Sequence, residues 1–167
     1  ALDQGLRQSV AALHPQLGYI SSSADDGVSG HGPYTLMPVS YYFSHTSSKL
    51  HSEQGVPCVP NPESLRRMLP SGQLWPQGDA WGQHDFTMQG AQRGSAFNEK
   101  MERCLGRPTS MEQYSAWAQW LNYDGHRAMF EAATSQQGMG LLMWMSHPTW
   151  PSMVWQTYDY YFDPTAG

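Results

Sequence analysis

Leu2, Leu6, Val10 and Leu13 recur at the spacing of one helical face, and Pro15 closes the run. Leu17-Gly18-Tyr19-Ile20 then reads as a short buried strand, followed by a Ser/Asp/Gly-rich loop over residues 21–32. Residues 34–43 are rich in β-prone side chains, with Pro38 interrupting them. Lys49-Leu50-His51-Ser52-Glu53 has the look of a short strand that ends at Gly55. Asn61-Pro62-Glu63 is an N-cap, a first-position proline and a first-turn acid, so a short helix is predicted over residues 62–68. Residues 69–94 are rich in Pro, Gly and Trp and read as one long ordered loop, a length that in a compact domain tends to serve function.

The strongest helical signal follows. Thr109-x-x-Glu112 reads as a capping box, and Met111, Tyr114, Trp117, Ala118, Leu121, Ala128, Met129 and Ala132 form one apolar face, with Gly125 weakening its middle. Gly140-Leu141-Leu142-Met143-Trp144-Met145 is apolar on both faces, as a strand of a parallel sheet should be. Helices and strands separated by long connections fit parallel α/β architecture. The chain contains no internal repeat and no low-complexity tract.

Composition narrows the classes. The 167 residues hold 7 Trp, 9 Tyr and 5 Phe, too aromatic a load for a disordered segment. Nine Lys and Arg stand against 14 Asp and Glu, a net charge of −5, which is a poor match for phosphate backbones and argues against a nucleic-acid partner. No apolar run reaches the length of a membrane span, so no membrane partner is expected. Cys58 and Cys104 make neither a disulfide framework nor a metal clip and read as two free thiols. From Ala1 onward there is no signal-peptide pattern, and both ends read as cut rather than natural.

Glu53 is the leading candidate for chemistry. It sits at the end of a short strand, and in α/β barrels the side chains at the C-terminal ends of strands are the ones that act. The two-residue side-chain period puts His51 on the same face. The plain alternative is a surface glutamate paired to a nearby lysine. Trp144 is the second candidate, because a tryptophan at a strand end can floor a sugar pocket; its plain alternative is core packing. His147 and Trp150 follow in the same segment, and Trp150, Trp155, Tyr158, Tyr160 and Tyr161 would line a sugar rim or pack on a following domain equally well. His45 and His51 lack metal-ligand spacing, and neither a Gly-x-Ser-x-Gly elbow nor a phosphate-binding glycine loop is present. Asn98-Glu99 has the form of a catalytic pair, but its surroundings read as helix rather than strand end.

Leu50-His51-Ser52-Glu53-Gln54-Gly55-Val56-Pro57 with Glu63-Ser64-Leu65-Arg66-Arg67-Met68 resembles the nucleophile strand and following helix of glycoside hydrolase family 2. So do the stretch from Asn122 to Ala132, the stretch from Trp144 to Ser152, and Trp155-Gln156-Thr157-Tyr158-Asp159-Tyr160-Tyr161. The pattern is most similar to the branch holding exo-β-D-glucosaminidases and plant-type endo-β-mannosidases. The resemblance implies that residues 1–167 are one partial catalytic domain, the C-terminal part of a (β/α)8 TIM barrel covering about strands five to eight, with no complete second domain. It implies a retaining β-glycosidase with Glu53 as nucleophile at the end of strand seven. Trp144 becomes the pocket tryptophan of strand eight, and His51, His147 and Trp150 become sugar-contacting residues. The family's acid/base carboxylate follows strand four, which places it before Ala1.

The partner implied is a glycoside or oligosaccharide, with no metal and no organic cofactor. A missing N-terminal half of the barrel, or self-association of exposed sheet edges, would complete the fold, and the piece alone would be inactive. Two other readings stay open: a sugar-binding module without hydrolysis, and a structural barrel fragment. Asp25 and Asp26 would suit an amino sugar but are equally ordinary loop formers. Relatives are commonly exported, which suggests a secreted or periplasmic protein.

Overall fold

The computed structural model describes residues 1–25, 27–86 and 94–167. Helix α1 (Leu2–Leu13) forms where the apolar spacing predicts it, yet it buries none of its residues, and Leu2 and Leu13 are 79% and 74% exposed. Residues 17–20 make no strand, correcting the sequence reading. The Tyr19 hydroxyl instead donates to Asp3 (2.9 Å), and the Arg7 guanidinium lies over its ring. A short apolar run specifies a strand only when a neighbouring strand takes up its backbone groups.

Residues 34–43 also depart from expectation, because α2 (Val39–His45) is a helix. Pro38 stands at its N-cap, and tertiary packing overrides the β preference of Tyr41, Tyr42 and Phe43. The helix buries Tyr42 in a cluster with Val56, Ala128, Met129 and Ala132.

The sheet is parallel, as the apolar strand pattern predicts. β1 (His51–Gln54) pairs with β2 (Leu141–Met143), with His51 opposite Leu141 and Gln54 opposite Met143. The register shifts between these two pairs, so regular alternation is interrupted within β1. On the other side of β1, Val28 bridges Leu50, again in parallel. Three neighbouring parallel segments joined by helical excursions make this an α/β fold.

α3 (Pro62–Met68) matches its signals: the Asn61 side chain accepts from the Ser64 N–H at 2.9 Å. The stretch read as one long loop holds a 3₁₀ turn at Ser71–Gln73 and a short α4 (Asp79–Gly82); residues 87–93 of it lie outside the described residues. α5 (Gly94–Leu105) precedes the long α6 (Met111–Ser135). The cap of α6 falls one residue later than the sequence suggests: Ser110 is the N-cap and accepts from Gln113 N–H at 3.2 Å. Thr109 instead donates its own N–H to Gln113 Oε1 at 2.7 Å. Both registers satisfy the Ser/Thr-x-x-Glu/Gln pattern, and Ser110 is the residue in extended conformation.

α6 backs two clusters. Its first half, with Met111, Tyr114, Ala118 and Leu121, packs on Leu65, Trp81, Phe86, Phe97 and Met101. Its second half, with Ala128, Met129 and Ala132, packs on Tyr42 and Val56. Gly125 lies between, and a Cβ there would come within 2.7 Å of Val56 Cγ1. This glycine therefore lets the helix approach the residues that follow β1. Cys58 is buried and Cys104 exposed, both as free thiols. No helix among the described residues is long and apolar enough to cross a membrane.

Candidate active site

Glu53 is half-buried in β1, one residue before its end. The Tyr34 hydroxyl lies 2.5 Å from Glu53 Oε1, with the Gly30 carbonyl at 3.1 Å as its second neighbour. A phenol has one proton to give, and the carboxylate, closer and charged, takes it. Burial, then the bond to Glu53 and its charge, push the Tyr34 phenol well above the ordinary tyrosine range, so it remains a donor.

Tyr34 is itself fixed from behind. The indole N–H of Trp155 donates to the Tyr34 carbonyl at 2.6 Å, and the two rings sit 5.5 Å apart, tilted by 57°. The Gly55 N–H donates to the Pro33 carbonyl at 3.0 Å, tying the segment before Tyr34 to the residues after Glu53. Sequence reasoning places Tyr34 in a β-prone stretch and misses this role. The signal is weak, since a contact across 19 positions leaves no local periodicity; only the break after Gly32-Pro33 marks the residue.

Trp144 follows β2 and is 42% exposed. Its N–H donates to the Gln54 carbonyl at 2.8 Å, which sets it on the strand next to Glu53. The contact is close: a Cβ on Gly55 would lie 2.4 Å from the Trp144 carbonyl oxygen and 3.0 Å from Trp155 Cβ. The Trp144–Met145 peptide is cis. Glu53, Tyr34, Trp144 and Trp155 are thus brought together around the ends of two parallel strands.

The other predicted residues sit in different surroundings. His51 is 3% exposed, with Nδ1 facing the Gln54 amide at 3.1 Å and Nε2 facing the backbone of Ser47 at 3.2 and 3.3 Å. Both ring nitrogens are therefore engaged within the protein, and the shift in strand register breaks the alternation that would align His51 with Glu53. His147 stacks on Phe162 at 4.4 Å, and its Nε2 is buried with no hydrogen-bond partner among the described residues. Trp150, 42% exposed, stacks on His84 at 5.8 Å, and the His84 ring is held by the Pro151 carbonyl at 2.7 Å.

Asn98 and Glu99 lie on α5, as the helical character of that stretch predicts. Asn98 accepts from the buried Tyr114 hydroxyl at 2.7 Å, and Glu99 is an exposed partner of Arg103. Asp25 is exposed, and Asp26 lies outside the described residues. No group of three or more His, Cys, Asp or Glu side chains among the described residues is placed to hold a metal ion.

The chain is similar in sequence to exo-β-D-glucosaminidases and to an endo-β-mannosidase, all of them glycoside hydrolases. It is 29% identical to an exo-β-D-glucosaminidase of Arthroderma benhamiae, over 84% of this chain and 18% of that protein. It is 26% identical to an exo-β-D-glucosaminidase of Hypocrea jecorina, over 97% of this chain and 20% of that protein. A mannosylglycoprotein endo-β-mannosidase of Lilium longiflorum is 35% identical over 65 residues, 37% of this chain and 7% of that protein. The fold superimposes on the solved Amycolatopsis orientalis exo-chitosanase with a TM-score of 0.82 at 20% identity, over 99% of this chain and 22% of that one. The chain thus spans about a fifth of the length of the relatives it matches. No family model matches it.

Proposed function

We propose that these residues form the strand-seven to strand-eight side of a retaining β-glycosidase barrel, with Glu53 as the nucleophile and a β-D-glucosaminide as substrate. The observation that carries the reading is the carboxylate of Glu53 at the end of a parallel strand, braced by the Tyr34 hydroxyl at 2.5 Å and adjoining the strand that carries Trp144. Exo-β-D-glucosaminidases among the relatives support the choice of sugar.

In this mechanism Glu53 attacks the anomeric carbon and forms a glycosyl ester, while a second carboxyl group protonates the departing oxygen. That second group then draws a proton from water, which releases the sugar with retained configuration. Retaining enzymes hold the two carboxyl groups about 5–5.5 Å apart. Glu99 is unsuited to be the second, since it sits exposed on α5 beside Arg103. The resemblance to glycoside hydrolase family 2 implies that the acid/base group follows an earlier strand of the barrel, so on this reading residues 1–167 alone are inactive. The Tyr34 proton orients the Glu53 oxygens for attack. The half-exposed Trp144 ring offers an apolar face to the sugar.

The test is Glu53→Gln in the intact protein. Hydrolysis of an aryl β-D-glucosaminide should fall by several decades, and a fluorinated slow glycoside should leave its covalent adduct on the peptide containing Glu53 in the unsubstituted protein. Near-normal turnover, or an adduct on another carboxylate, removes the assignment. Sugar binding that persists with no turnover in either protein favours a binding module instead.

A further inference from the structure

A cleft of about 390 Å³ opens where the Leu36–Val39 segment, α5 and α6 meet, lined by residues other than those that hold Glu53. Its volume falls in the range of small-molecule sites. Leu36, Met37, Pro38, Val39 and Leu121 give it an apolar lining. Lys100 and Arg103, one turn apart on α5, bring two positive charges to it, and Asp124 lines it from α6.

The charges do not balance inside the cleft. The Asp124 carboxylate is held by Arg127 at 3.0 Å. Arg103 reaches Glu99 at 3.4 Å, but both side chains are more than two-thirds exposed, and such a pair is weak and screened. The Lys100 ammonium donates to the Leu36 carbonyl, and no carboxylate among the described residues stands within ion-pair distance of it. Burial first, and Arg103 second, lower its proton affinity. A half-buried cation with no counter-ion among the described residues is unusual in a chain with 9 cations and 14 anions. An ammonium has three protons, so two remain after the bond to Leu36.

We infer that this cleft binds an aliphatic monocarboxylate, its carboxylate between Lys100 and Arg103 and its hydrocarbon chain against Leu36, Pro38, Val39 and Leu121. The charged head satisfies the unpaired ammonium, and the apolar tail displaces water from the lining. The site is independent of the glycosidase reading.

Cys104 lines the same cleft and is exposed, whereas Cys58 is buried, so the chain carries its own reporter and its own control. The experiment alkylates the intact protein with iodoacetamide and follows the Cys104 peptide by mass spectrometry, with octanoate as probe and octanol as its uncharged counterpart. Octanoate at ten times its Kd should slow Cys104 alkylation about ten-fold by mass action. Octanol should protect far less. Arg103→Gln and Lys100→Gln should each weaken octanoate protection by about ten-fold or more, the weight of a hydrogen bond to a charged group. Arg103 is exposed, so its variant carries the test even where Lys100→Gln perturbs folding. Absence of protection at millimolar octanoate, equal protection by octanol, or full protection in the Arg103→Gln variant would overturn the inference.

Discussion

Trp155 holds Tyr34 by its backbone while Tyr34 holds Glu53 by its side chain: the indole N–H meets the Tyr34 carbonyl at 2.6 Å, and the Tyr34 hydroxyl meets Glu53 at 2.5 Å. The carboxylate is therefore positioned by a chain of two bonds drawn from three separate parts of the sequence.

Tyr34→Phe removes the donor and keeps the ring packed on Trp155. A hydrogen bond to a charged group contributes about 1.5–3 kcal/mol, so kcat in the intact protein should fall about ten- to a hundred-fold with little change in Tm. Steady-state kinetics beside a thermal melt check this. A variant that melts early and keeps its kcat would mean that Tyr34 serves the fold only.

Gly55→Ala places a methyl group 2.4 Å from the Trp144 carbonyl oxygen and 3.0 Å from Trp155 Cβ. The nearest obstacle is backbone, which cannot swing aside as a side chain would. Overpacking of this kind costs about 1–3 kcal/mol, and turnover should drop further than stability does because the displaced strand carries Glu53. Unchanged Tm together with unchanged kcat would contradict the geometry.

His126 is 3% exposed and its Nδ1 pairs with the Asn122 carbonyl at 3.0 Å. Burial lowers its proton affinity, and the bond to Asn122 offsets part of that. An unfolded histidine titrates near about 6.5. Below that pH the unfolded chain takes up a proton that the folded chain refuses. Stability is thus fully present above the unfolded value and declines as pH falls through the lowered folded value. Differential scanning fluorimetry from pH 8 to 5 should show Tm declining in the acid range, less steeply in His126→Gln. Identical slopes would show that other groups set the acid limb.

Ser110→Ala removes the N-cap of α6 and should cost about 1 kcal/mol in a denaturant titration. Thr109→Ala should cost less, because its main-chain N–H keeps the bond to Gln113. The reverse ranking would restore the capping register suggested by sequence.

Much of this arrangement is legible in the order of the amino acids. α3 and α6 announce themselves because capping side chains and helical spacing are local properties. β1 is legible from its end, where Glu53 and Gly55 stand together. The departures have one cause. Side-chain type alone suggests strands at residues 17–20 and around α2, whereas their conformations depend on neighbours far along the chain: Tyr19 turns to Asp3, and Tyr42 is buried by α6. His51 illustrates the same limit, since strand alternation places it beside Glu53 and an irregular register withdraws it into bonds with Ser47 and Gln54. Tyr34 escapes notice because its importance is entirely a matter of distance to a residue elsewhere.

Because α6 backs one cluster with its first half and the other with its second, the excursion over α3 to α5 and the scaffold beneath Glu53 answer to separate stretches of one rod. Natural variation has room to reshape the former while the latter stays put. A fold organised in this way leaves the strand that carries the proposed nucleophile in place while its periphery changes.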